Sequence, residues 1–234
     1  MNSRKTNRQG FTLVELLTVI IIIAILAGMV TGAVGYAVTS VKQAAIRAEI
    51  GSLEQALNAY KADIGEYPPD NSTDATRHIQ ACYRNATTTT TYATVTPTTA
   101  LYIFLGPHNA NPRSPFSSTS GKTTKGYFEF DKNRVDSYQY YPSGGTVPYV
   151  YFRANLSKED TSAYDGKSWN GVSAYYNNTQ NSYFNPKTFQ IISAGLDNEY
   201  GSTFKFSTDT GRLDEATGNN IVNFSTKLIK DLLE

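Results

Sequence analysis

The chain has 234 residues, 40% hydrophobic and 18% charged, with a formal net charge of +1. That length accommodates one ordinary domain plus an appendage, and the balanced charge excludes a nucleic-acid surface built on bulk basicity. One cysteine, Cys82, excludes an intrachain disulfide and a thiolate cluster; His78 and His108, thirty residues apart, offer no metal-ligand spacing to each other.

Residues 1–10 (MNSRKTNRQG) are polar and carry Arg4, Lys5 and Arg8. From Phe11 the chain turns apolar, and no charge occurs over the 26 residues from Leu16 to Val41. A helix of that length reaches about 39 Å, enough for a hydrocarbon core of about 30 Å. Residues 11–41 are therefore expected to form a transmembrane helix, with the basic leader on the cytoplasmic side. A cleaved secretory signal fits less well, because its apolar core spans only about 7–15 residues. Glu15 is the odd residue in this run. Either it sits at the membrane interface and is tolerated there, or it awaits a positive partner. Gly28, Gly32 and Gly35 roughly share one helix face, where they permit close packing or loosen the helix.

Beyond Lys42, Ile46, Ile50, Leu53, Leu57, Tyr60 and Ile64 fall at steps of four and three. That stripe predicts an amphipathic stalk helix over 42–67, stopped by Pro68-Pro69. Residues 68–234 are expected to form an extracytoplasmic β-rich domain, so the fold class is α+β: a long N-terminal helix packed on an antiparallel sheet. Thr, Ser, Asn and Tyr dominate 70–188; Asn85–Thr99 (NATTTTTYATVTPTT) reads as an exposed loop or edge strand. Strands are expected over Gly126–Phe130, Ser137–Tyr141, Pro148–Phe152 and Thr188–Ala194. Lys122, Lys125, Lys132 and Arg134 read as a solvated loop cluster. No nucleophile elbow, zinc-protease helix or phosphate-cradling glycine loop occurs, so no enzyme is expected.

Gly10, then Phe11-Thr12-Leu13-Val14-Glu15, then the apolar run, resembles the processing site of type IV prepilins and type II secretion pseudopilins. The helix ending in Asp63, Gly65, Tyr67 and Pro68 resembles the segment after the anchor in major pseudopilins. The resemblance implies a pilin-like fold and cleavage after Gly10 by a prepilin peptidase, which methylates the new N-terminus at Phe11. Glu15 is then the carboxylate that attracts the N-terminal amine of a neighbouring subunit. The implied partners are further copies of the chain, minor pilins or pseudopilins, an inner-membrane assembly platform and lipid, with no nucleic acid. The implied place is the bacterial inner membrane, domain outward, and a fibre after assembly. Protein secretion is favoured over a surface filament for adhesion, motility or DNA uptake, and over a membrane-anchored enzyme or binding ectodomain.

The C-terminal order, strand, Gly195-Leu196-Asp197, gap, Asn219-Asn220-Ile221, also resembles the calcium loop of major pseudopilins. That implies calcium held by Leu196, Asp197, Asp214, Asn219 and Asn220. Asparagines stand where the family has a carboxylate pair, which removes two charges; the residues alone also fit an Asx-rich turn.

Overall fold

A computed structural model describes residues 11–82, 95–107, 125–206 and 215–232. Gly10 and Asp214 lie outside them. Helix α1 spans Leu13–Ile64, 52 residues. The chain divides into a unit ending at Val41 and a compact unit from Lys42 to Glu234.

Among the described residues of the first unit none is buried. Leu13, Ile20, Ile23, Leu26 and Met29 are all more than half exposed. An 18-residue window of mean hydropathy 2.8 has none of its residues buried, so length and composition suffice to cross a membrane.

In the second unit the helical stripe is buried as its spacing requires: Ile46, Ile50, Leu53, Leu57 and Tyr60 are almost fully covered, and Ile64 packs beside them. Each such side chain contributes about 1.5–3 kcal/mol. The helix ends three residues before the expected 67. Gly65 takes φ +103° and donates its N–H to the Lys61 carbonyl at 2.8 Å, so the glycine closes the helix before Pro68 is reached.

Helix α2 (Ser72–Cys82) follows, its first turn capped by Asn71, whose Oδ1 accepts the Asp74 N–H at 2.8 Å. Helix α3 (Ala100–Leu105) buries five of its six residues. The strands are β1 (Val135–Asp136), β2 (Gln139–Tyr140), β3 (Val150–Arg153), β4 (Ser168–Trp169) and β5 (Val172–Ser173). Then come β6 (Tyr176–Asn177), β7 (Ser182–Tyr183), β8 (Phe189–Ser193), β9 (Lys205–Phe206), helix α4 (Glu215–Asn219) and β10 (Ile221–Val222). The central sheet has the order β10-β8-β3 and is antiparallel, with Tyr151 opposite Ile191 and Val222 opposite Ile192.

Both sheet faces are covered. Tyr149, Tyr151, Phe189, Ile191 and Ile221 face α1, α2 and α3 in one cluster. Val150, Phe152, Ile192 and Val222 alternate onto the other face, beneath Tyr164, Tyr175 and Phe204. Gln190 is fully buried there and fully used. Its Oε1 accepts the Tyr175 N–H at 2.7 Å, and its Nε2 donates to the carbonyls of Tyr175 and Phe184. A chain with few long strands thus gains a sheet-like layer from one amide side chain.

Several expected strands take other forms. Gly126–Phe130 is not a strand, because the N–H groups of Tyr127 and Phe128 both cap the Leu105 carbonyl at the end of α3. Ser137 and Tyr138 adopt φ +49° and +65°, which makes 137–141 a tight hairpin turn plus the two-residue β2. Of Asn85–Thr99, only the end is described, and Val95, Thr98 and Thr99 are buried there, not exposed.

Arg134 is no solvated loop residue either. Glu49 of α1 receives Arg134 Nη1 at 2.9 Å on Oε2 and pairs through Oε1 with Nη2. Tyr140 donates to Oε1 at 2.6 Å and Tyr149 to Oε2 at 2.7 Å. Four side chains thereby join α1 to the hairpin and the sheet.

Candidate functional site

Helix α1 begins one residue after Thr12. The Thr12 N–H and hydroxyl both donate to Glu15 Oε2, at 2.9 and 2.8 Å, and the Glu15 N–H returns to Thr12 Oγ1 at 3.3 Å. This is a capping box: Thr at the cap and Glu three residues on satisfy two N–H groups that a helix start leaves open. Thr12-x-x-Glu15 carried that signal in the sequence, and it supplies an intrachain partner beyond the two readings given above. Both bonds accepted by the carboxylate end on Oε2, and among the described residues no ion pair includes Glu15. Phe11 is 81% exposed beside it. The helix start therefore presents a carboxylate, the Phe11 ring and an uncovered apolar surface.

The C-terminal loop is built differently. Gly195 leaves β8 at φ +74°, where a Cβ would stand 2.4 Å from the Asn219 carbonyl oxygen. The backbone of the loop and the end of α4 can approach only at a glycine. Asp197 is exposed; its Oδ2 accepts from Asn219 Nδ2 at 2.9 Å and its Oδ1 from the Glu199 N–H at 3.3 Å. The Leu196 carbonyl accepts from Asn198 Nδ2 at 3.4 Å. Asn220 turns inward and is fully buried. Its Nδ2 donates to the Tyr175 hydroxyl at 2.8 Å and the Tyr200 carbonyl at 2.9 Å, while its Oδ1 has no hydrogen-bond partner among the described residues. The structure brings Asp197 and Asn219 together and sends Asn220 into the core. Gly195→Ala combines left-handed strain with the clash and is expected to cost at least about 2 kcal/mol. For a unit of this size that is a fall of about 4–8 °C in melting temperature, checked by thermal denaturation.

Residues 5–31 match the prokaryotic N-terminal methylation motif. The chain is also similar to the type II secretion system core protein G of Escherichia coli (strain K12), with 43% identity over 70 residues. That stretch is 29% of this chain and 48% of the relative, so the chain spans about half the relative's length. No solved structure matches the chain. Over its N-terminal region, the chain is therefore similar to type IV prepilins and type II secretion pseudopilins.

Proposed function

We propose that this protein is a structural subunit, not an enzyme, of a pilus-like fibre serving type II protein secretion. Cleavage follows Gly10, the new N-terminus at Phe11 is methylated, and subunits polymerise through α1. The observation that carries this reading is the helix start: a capped Glu15 beside an exposed Phe11, followed by an apolar surface that the chain itself leaves uncovered. Such a surface must be covered by lipid before assembly and by neighbouring helices afterwards. The leader's basic residues favour a cytoplasmic N-terminus, with the second unit beyond the inner membrane. The relative's printed name favours secretion over a surface filament. Minor pseudopilins, a prepilin peptidase and an inner-membrane platform are the partners this role requires.

Gly10→Ala is expected to leave most of the protein as uncut precursor in membranes. Mass spectrometry of the parent N-terminus should find methylated Phe11. A parent retaining Met1, or a variant cut as fully as the parent, overturns the reading.

Calcium at the C-terminal loop is a further part of the proposal, with Asp197, Asp214, Asn219 and the Leu196 carbonyl as donors; Asn220, turned into the core, is not among them. The closeness of Asp197 to Asn219 supports it. Because the Asn219 amide already holds Asp197, the ion would add to a loop that is closed without it. A melting temperature indifferent to chelator disposes of the site.

A further inference from the structure

We propose that Glu66, His78 and Cys82 form a binding site for a zinc-class divalent ion, clamping α2 against the end of α1. The three donor atoms converge. His78 Nδ1 lies 2.8 Å from Glu66 Oε1, and Cys82 Sγ lies 3.6 Å from that oxygen and 3.8 Å from that nitrogen. A tetrahedral zinc ion with bonds of about 2.0–2.3 Å spaces its ligands by about 3.3–3.7 Å, so small side-chain adjustments admit it. His78 and Cys82 are four residues apart on α2 and share its inner face.

The surrounding groups hold the donors as outer-shell partners of a metal do. The Tyr60 hydroxyl meets His78 Nε2 at 2.8 Å, which fixes the ring and leaves Nδ1 for coordination. Arg153 Nη2 holds Glu66 Oε2 at 2.9 Å, which directs Oε1 toward the other two donors. The ring of His78 is fully enclosed, between Tyr60 and Phe104.

A nucleophilic cysteine fits this arrangement poorly. In a Cys–His–acid relay the thiol and the acid occupy opposite ring nitrogens. Here both face Nδ1, and Nε2 belongs to Tyr60. Binding of a divalent ion displaces the thiol proton: a metal–sulfur bond forms, and the proton passes to solvent.

The test uses the full chain in detergent, reduced and stripped with chelator, titrated with cobalt(II) and then zinc. One equivalent of cobalt is expected to produce a sulfur-to-cobalt charge-transfer band with the visible spectrum of a four-coordinate ion. Zinc should abolish both. Since Cys82 is the single cysteine, the band reports this residue without any variant. Cys82→Ser should remove the band, and Tyr60→Phe should weaken zinc about 10- to 100-fold. Absence of the band at stoichiometric cobalt overturns the proposal, since the Glu66–His78 contact is then an ordinary hydrogen bond. Unchanged zinc affinity in Cys82→Ser overturns it equally.

Discussion

Glu15→Gln is expected to be inserted and cleaved like the parent, yet to leave fibres below detection. The choice of glutamine follows from the capping box. A glutamine at the third helical position still accepts the Thr12 N–H and hydroxyl, so the start of α1 keeps its local support while the negative charge is gone. Glu15→Ala removes both. If assembly depends on attraction between Glu15 and the amine of a neighbouring Phe11, the two variants fail alike. In a site shielded from water, a charge–charge attraction greatly exceeds what a neutral amide offers. If glutamine assembles normally and alanine does not, Glu15 serves only to start the helix, and the intersubunit pairing is withdrawn. Electron microscopy of sheared fibres, with immunoblots for cleavage, reads both outcomes.

The parts of this molecule legible in the sequence are those governed by a period. Ile46 through Ile64 repeat at the helical step, and each is buried or packed as the step demands. The uncharged run after Glu15 likewise left little choice but a long apolar helix. Helix α2 carries little periodic signal, because only Ala75 and Ile79 mark its inner face apart from His78, and the His78–Cys82 pair one turn apart is informative only once the helix is seen. The sheet was legible only where strands exceed three residues, at β3 and β8. Elsewhere, hydrogen bonds from particular groups decide the backbone: the Leu105 carbonyl recruits Tyr127 and Phe128, and Gln190 pins Tyr175. Such long-range pairings have no periodic trace. The same holds at the C-terminal loop, where Asn219 and Asn220 look equivalent in sequence yet point to Asp197 and to the core respectively.

Arg134→Ala should cost the second unit about 3 kcal/mol at neutral pH, a fall of about 6–12 °C in melting temperature. The Glu49 side chain is 15% exposed and Arg134 23%, so the cost sits at the low end for breaking an enclosed pair. Loss of the arginine leaves a carboxylate in the junction of α1, hairpin and sheet with only the hydroxyls of Tyr140 and Tyr149 to satisfy it. The pH dependence identifies the mechanism. Burial works to raise Glu49, but the Arg134 pair and the tyrosine hydroxyl bonds overcome it and hold the carboxyl below its ordinary value. A group depressed in the folded state contributes stability above its unfolded pKa, near 4.3, and loses it as pH falls through the folded value. In the variant the depressing partner is gone and burial remains, so Glu49 protonates more readily and acid relieves the strain. The gap between parent and variant should therefore be widest at pH 7 and shrink by pH 4, measured by thermal melts of the full chain in detergent. A gap below about 1 kcal/mol, or one constant across that range, would reduce the junction to a solvated surface pair.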